Sequence, residues 1–222
     1  MKRIFTFLWL LLGASVFGQI HKEDVNLTDF IREIEQWKKE NNRIQFVAWM
    51  PVDYWEIAGS QSSNVPPKTI NQMKEAMKDL VLVYVLDMRS NGDGTMEFKS
   101  NDEIKNDLAL VDSGSRKYYP LAEKNISQRA LRIGDQLRPF FAQNMGKMGQ
   151  GLNIFYFQVK DNKGENLINP RLKNSFSIRE GGKQFSWVLP LVSLMPPKFC
   201  PVDKEKMKGN WNYCPIHGVK LN

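Results

Sequence analysis

The architecture of this chain is clearest in the run Val81-Leu82-Val83-Tyr84-Val85-Leu86, which is followed by Asn91-Gly92-Asp93-Gly94. β-Branched and aromatic residues fill the first run, which predicts a buried strand. Asn-Gly and Asp-Gly pairs supply the positive φ angles that a tight hairpin turn requires. The stretch therefore predicts two antiparallel strands, residues 82–88 and 95–99, joined by this turn.

Further short segments with strand-like composition follow as far as residue 189, separated by turn sequences that contain Gly, Asn and Ser. Residues 184–189 alternate polar and apolar side chains, which is typical of a strand with one buried face. The predicted strands are residues 107–112, 116–119, 136–141, 153–160, 175–179 and 184–189. Many short, evenly spaced strands favour an antiparallel β-sandwich or a partly closed barrel.

Two helices are predicted before this β-rich region. Asn26 can cap a helix over residues 27–41, whose apolar residues fall on one face. Residues 51–67 contain the run Gly59-Ser60-Gln61-Ser62-Ser63-Asn64 and end in two prolines, which predicts a loop. A second helix should begin near Pro67. We therefore predict an α+β fold, in which an antiparallel β-sandwich-like body carries two N-terminal helices and a C-terminal hairpin.

The first 19 residues have the features of a signal peptide. Lys2 and Arg3 precede an apolar run over residues 4–12, and small residues follow it. That run is shorter than the roughly 20 residues of a membrane-spanning helix. We expect an exported, soluble protein, periplasmic or secreted, with a globular domain over residues 20–195 and a tail over residues 198–222. An uncleaved N-terminal anchor helix is the alternative.

The charge of the chain is mildly positive, with a formal net charge of +7. Removal of Lys2 and Arg3 with the leader leaves 29 basic residues against 24 acidic ones. The basic residues are scattered singly among acidic ones, whereas nucleic-acid binding requires a clustered basic patch. The distribution therefore predicts a solvated surface and no nucleic-acid partner.

One short phrase occurs twice in the C-terminal tail. Phe199-Cys200-Pro201-Val202-Asp203-Lys204-Glu205-Lys206-Met207 is matched by Tyr213-Cys214-Pro215-Ile216-His217-Gly218-Val219-Lys220-Leu221. Each copy places a second metal-binding side chain three residues after its cysteine. A tight turn brings such positions together, so two copies can supply the four ligands of a tetrahedral ion. The tail therefore predicts a small hairpin held by a metal.

Residues 199–221 resemble a zinc ribbon, whose knuckles have an aromatic residue, Cys-Pro-x-Cys-Gly and a later Leu. The resemblance implies a structural zinc site with Cys200, Asp203, Cys214 and His217 as ligands. Asp203 and His217 stand where the family usually has cysteine, and Lys204 stands where the first knuckle usually has Gly. A carboxylate is a harder ligand than a thiolate, which implies either weaker zinc binding than in a four-cysteine ribbon or loss of the metal.

A disulfide between Cys200 and Cys214 is the alternative to the metal. Exported proteins form disulfides readily. Closing a loop of this size would stabilise the fold by about 3 kcal/mol in the chain-entropy model. A disulfide does not explain why Asp203 and His217 occupy matched positions, so the metal is favoured.

The sequence lacks the residues that a calcium-binding EF-hand and a serine hydrolase require. An EF-hand around Gly94 would need acidic ligands where Arg89 and Ser100 stand. The chain has two histidines, His21 and His217, and lacks the Gly-x-Ser-x-Gly motif of a serine hydrolase. A carboxylate-dependent hydrolase remains an alternative function. The available carboxylates are Asp53, Glu56, Asp87, Asp102, Glu103 and Asp112.

Three aromatic residues, Trp49, Tyr54 and Trp55, surround a predicted turn. If exposed, they would suit a sugar face or a peptide. Burial at the end of the body is favoured, because Trp and Tyr are well buried on average.

These patterns lead us to expect an exported, non-catalytic binding protein with a structural zinc site formed by two cysteines, one aspartate and one histidine. Its partner would be a protein or a polymer. The alternatives are a secreted carboxylate-dependent hydrolase acting on a polymer and an exported metal-handling protein.

Overall fold

The computed structural model describes residues 22–62 and 65–221. The predicted signal peptide and His21 lie outside the described residues. The described chain combines α-helices with antiparallel sheets, in agreement with the α+β prediction. Its α-helices are α1 (Leu27–Ile34), α2 (Val52–Ser60), α3 (Pro67–Met77), α4 (Asn101–Asp107) and α5 (Gln128–Met145). Among these residues, no helix combines the length and hydrophobicity that a membrane crossing requires.

The strands form two larger sheets and one small one. They are β1 (Glu35–Glu40), β2 (Arg43–Met50), β3 (Leu80–Ser90), β4 (Met96–Phe98), β5 (Ala109–Asp112), β6 (Lys117–Tyr118), β7 (Asn153–Gln158), β8 (Asn174–Glu180), β9 (Lys183–Leu189), β10 (Lys198–Phe199) and β11 (Lys206–Met207). The first sheet has the order β1-β2-β3-β4, and β7 pairs with the first half of β3. The second has the order β6-β5-β8-β9, and β10 pairs with β11 in the tail.

The first sheet is apolar on both faces, because it separates two buried clusters. Val47, Val83 and Val85 point to one side, where they share a cluster with Phe176 and Ile178 of the second sheet. Leu82, Tyr84 and Leu86 alternate to the other side and pack with residues of α2, α3 and α5. The unbroken apolar run of β3 follows from this burial on two faces.

The turn at residues 91–94 joins β3 to β4 as predicted, with Gly94 at a φ of 83°. Asn91 closes the turn, since its carbonyl accepts a hydrogen bond from the Gly94 amide at 3.0 Å. Predicted strands that overlap β5, β6, β7, β8 and β9 are also confirmed.

The first helix is shorter than predicted. It ends at Ile34, and residues 35–40 form β1, which pairs antiparallel with β2. The ring of Trp37, expected on a helix face, instead packs against its cross-strand partner Phe46, with centroids 4.5 Å apart. Pairing with β2 therefore overrides the helical pattern of this segment.

Two other assignments are wrong. Residues 51–67 contain helix α2, which begins directly after Pro51 and buries Trp55 and Ile57. Residues 136–141, predicted as a strand, lie within α5, which Ser127 caps by accepting from the amide of Ala130 at 3.1 Å. Three α-helices rather than two therefore precede β3 in the described residues, and two more follow it.

Candidate metal centre

The two copies of the tail phrase fold into turns with the same backbone hydrogen bonds. The Cys200 amide donates to the Glu205 carbonyl at 3.0 Å, and the Lys204 amide donates to the Cys200 carbonyl at 2.8 Å. In the second copy, the Cys214 amide donates to the carbonyl of Val219 at 2.8 Å, and the Gly218 amide donates to the Cys214 carbonyl at 2.9 Å. The repeated sequence thus produces a repeated knuckle.

Each knuckle closes through a residue in the left-handed region. Lys204 has a φ of 64° and the matched Gly218 has a φ of 67°. Glycine adopts this conformation at no steric cost, whereas a residue with a Cβ is strained there. The second knuckle therefore has the better sequence for its backbone.

Short strands and a small core hold the knuckles together. Strand β10 pairs with β11 around the first knuckle, and Tyr213 pairs with Lys220 around the second. Met207 and Leu221, which are matched positions of the phrase, are buried against Cys200 and Cys214. The apolar end of each copy thus supports both cysteines.

The side chains of Cys200, Cys214 and His217 converge, with their ligand atoms all within 4.8 Å of one another. Nδ1 of His217 lies 3.4 Å from Sγ of Cys200 and 3.6 Å from Sγ of Cys214. Ordinary zinc–sulfur and zinc–nitrogen bond lengths at a tetrahedral angle place a sulfur and a nitrogen ligand about 3.5 Å apart. The arrangement of these three side chains is therefore compatible with a bound metal ion.

Asp203 lies beside this group. Its Oδ2 is 3.7 Å from Nδ1 of His217, and its Oδ1 accepts a hydrogen bond from the Glu205 amide at 3.0 Å. That backbone hydrogen bond is the largest cause of the lowered pKa of Asp203. The carboxylate therefore lies beside the group of Cys200, Cys214 and His217, but it is not one of the three convergent ligands.

The two cysteines are free thiols in this structure, and both are buried. Burial raises the pKa of Cys200. Burial has the same effect at Cys214, but hydrogen bonds from the amides of His217 and Ile216 outweigh it and lower the pKa. Cys214 is therefore the thiol that ionises first, and a bound cation would favour the thiolate form of both.

The three aromatic candidates lie in or near the cores of the body, away from the tail cluster. Trp49 is 2% exposed and packs edge-on against Phe176, with ring centroids 5.0 Å apart. Trp55 is 6% exposed, and its ring contacts that of the half-buried Tyr54. Neither tryptophan offers a ring face to a ligand.

A charged cluster that the sequence did not indicate lies at one end of the core between the two sheets. Asp87 on β3 is buried and accepts hydrogen bonds from Arg43, one of them at 2.7 Å from Nε. Lys99 lies 2.8 Å from Asp87 and 3.2 Å from Glu180 of β8. Glu180 is fully buried and also accepts from the side-chain amide of Gln45.

The pKa values of the two carboxyl groups in this cluster are shifted in opposite directions. Burial, reinforced by the charge of Asp87, raises the pKa of Glu180. Burial also disfavours ionised Asp87, but hydrogen bonds from Arg43 and Lys99 outweigh it and lower the pKa of Asp87. Glu180 is therefore the carboxyl group of the pair that takes up a proton first as the pH falls, and Asp87 keeps its negative charge to lower pH.

Glu180 was missed because a carboxylate at a strand end beside Gly181-Gly182 normally faces water. In the sequence, only the neighbouring glycines indicate that this strand end is closely packed. Gly181 has a φ of 56°, its carbonyl accepts from Nη1 of Arg43 at 3.2 Å, and a Cβ there would meet that guanidinium. Glycine at this position allows the close approach of Arg43.

Comparison of the chain with protein-family models, with curated proteins and with solved structures gives no match.

Replacing Lys204 with Gly should tighten metal binding. Glycine removes the steric strain of the left-handed conformation in the first knuckle, but it loses more conformational entropy on folding than lysine does. The net stabilisation of the knuckle should be about 0.5–1 kcal/mol. We expect the zinc affinity, measured by competition with a chromogenic chelator, to rise about two- to fivefold. The reciprocal variant Gly218→Lys should lower it by a similar factor, and equal affinities for both variants would contradict the matched-knuckle geometry.

Proposed function

We propose that this chain is an exported, non-catalytic binding protein whose C-terminal ribbon is held by a structural zinc ion. The convergence of Cys200, Cys214 and His217 between two matching knuckles carries the proposal. Asp203 completes four protein ligands, which is the ligand number of a structural zinc site, whereas a catalytic site keeps one position for water or substrate.

The outer surface of the ribbon supports a binding role. Four apolar side chains at matched positions are exposed instead of entering the small core: Phe199, Val202, Tyr213 and Ile216. Val202 and Ile216 occupy the position before the second ligand of each knuckle, at 60% and 66% exposure. Because knuckle packing does not require them, these side chains are available to a partner protein or polymer.

The body serves in this proposal as a frame of two sheets, in the manner of a sandwich, that presents the ribbon. Hydrolysis of a polymer receives no support from the carboxylates that the structure brings together. Asp87 and Glu180 are 2% and 0% exposed and are engaged by Arg43 and Lys99. Very little of either carboxyl group is therefore accessible to a polymer substrate.

A double substitution at Val202 and Ile216, the exposed position before the second ligand of each knuckle, tests the binding role. The variant Val202→Asp/Ile216→Asp should keep its zinc, because neither side chain faces the metal or the ribbon core. We expect the immobilised variant to retain about tenfold less partner from a cell-envelope extract than the wild-type chain does, a loss of about 1.4 kcal/mol in affinity. Indistinguishable retention by the two proteins, with zinc bound to both, would refute a partner surface on the ribbon.

A further inference from the structure

The metal centre is asymmetric with respect to solvent. Both sulfur-bearing residues are buried, with Cys200 at 0% and Cys214 at 1% exposure. The side chains of Asp203 and His217, in contrast, are 37% and 32% exposed. A molecule from solution would therefore approach a bound ion from the side of the carboxylate and the imidazole.

Of the four proposed ligands, Asp203 is the one best able to leave. Its Oδ1 is held by the Glu205 amide, so the side chain keeps a hydrogen-bond partner when Oδ2 is displaced. Its Oδ2 lies 3.7 Å from Nδ1 of His217, a little more than the roughly 3.3–3.4 Å expected between oxygen and nitrogen ligands of one tetrahedral zinc ion. Zinc also accepts thiolate readily, whereas carboxylate is the harder ligand of the set.

We infer that the Asp203 position is an exchangeable coordination position, at which a small-molecule thiol replaces the carboxylate. The inference rests on the proposed metal site and gives it a second property, the capacity to bind a thiol. In the exchange, the bond from Oδ2 of Asp203 to the metal breaks and a bond from the incoming sulfur forms. The thiol proton goes to solvent, and no group is oxidised or reduced. Cys200, Cys214 and His217 stay bound throughout.

Cobalt substitution tests this exchange, because sulfur-to-cobalt charge-transfer absorption grows with the number of bound thiolates. The full mature chain is loaded with one equivalent of Co²⁺ and titrated with 2-mercaptoethanol. We expect a saturable rise of about one half in this absorption, as two thiolates become three. Asp203→Cys should show the higher absorption from the start and change little. Glu205→Gln, which alters a neighbouring exposed carboxylate, should respond as the wild-type chain does.

The outcomes separate this inference from the proposed function. Cobalt binding to the wild-type chain with no response to the thiol, or loss of the whole charge-transfer band, overturns the exchangeable position and leaves the structural site standing. Failure of the reduced wild-type chain to bind cobalt at all overturns both. A second readout is zinc release to a chelator, which should be at least tenfold slower for Asp203→Cys; equal rates would count against the exchange.

Discussion

Replacing Asp87 by Asn is expected to lower the free energy of unfolding by about 3 kcal/mol at neutral pH. The substitution removes the charge that faces Arg43 and Lys99 at the end of the core between the sheets. Removing one partner of a buried ion pair typically lowers the free energy of unfolding by about 3–5 kcal/mol. The lower end applies here because the side chains of Arg43 and Lys99 remain 22% and 33% exposed. Urea denaturation of the reduced chain measures the effect.

Two matched variants make this prediction specific. Asp53→Asn removes a more exposed ion pair, in which Oδ1 of Asp53 lies 2.8 Å from Nη2 of Arg171. This change should lower the free energy of unfolding by less than about 1 kcal/mol. Glu180→Gln replaces the carboxyl group whose pKa is raised, so it should cost less than Asp87→Asn does. Equal losses for the two variants would contradict the opposite pKa shifts of Asp87 and Glu180.

Glu180 and Asp87 should also make the free energy of unfolding depend on pH, and the directions of their pKa shifts set the sign of each contribution. The pKa of Glu180 is raised above its ordinary value of 4.5, so its contribution to stability is complete below that value and is lost as the pH rises through the folded pKa. The pKa of Asp87 is lowered from 3.8, so its contribution is present above that value and is lost as the pH falls through the folded pKa. Glu180→Gln should therefore remove the loss of stability that occurs as the pH rises above 4.5 and leave the loss that occurs as the pH falls below 3.8.

Replacing Cys200 with Ser is expected to weaken zinc binding by about 100-fold or more. The serine hydroxyl is a poor zinc ligand, and even loss of a supporting partner around a metal ligand costs about 10–100-fold. Because metal binding and folding of such a small unit are coupled, amides of residues 198–221 should lose hydrogen-exchange protection. The amides of β2 and β3 should keep theirs.

The control for this prediction is Val202→Ser in the same knuckle, since Val202 is exposed and lies between two ligands without facing the metal. It should bind zinc as the wild-type chain does. Undiminished zinc binding by Cys200→Ser would contradict the ligand assignment, as would a loss of protection in the body as large as that in the ribbon.

The parts of the structure that could be predicted from sequence are those whose cause is local. The hairpin at residues 91–94 follows from two Gly-containing pairs, and the knuckles follow from a phrase that is repeated together with its ligand spacing. Helix α4 was also within reach, because Ser100 and Glu103 form a capping box in which each side chain binds the backbone amide of the other residue.

The errors arise where a distant partner determines the local conformation. Residues 35–40 have a helical pattern, but the edge of β2 offers them six cross-strand partners. Residues 136–141 look strand-like alone, whereas Ser127 starts a helix well before them that continues through them despite Pro139. Glu180 is buried because Gln45 and Lys99 reach it from outside its own sheet, and no pattern around residue 180 records those contacts.

The metal content and thiol count of the chain, purified under reducing conditions, give the most direct test of the metal site. Elemental analysis should find about one zinc per chain, and thiol titration after denaturation should find both cysteines reduced. A chain with no metal, in which Cys200 and Cys214 are joined by a disulfide and resist mild reduction, would contradict the convergence of ligands on a cation.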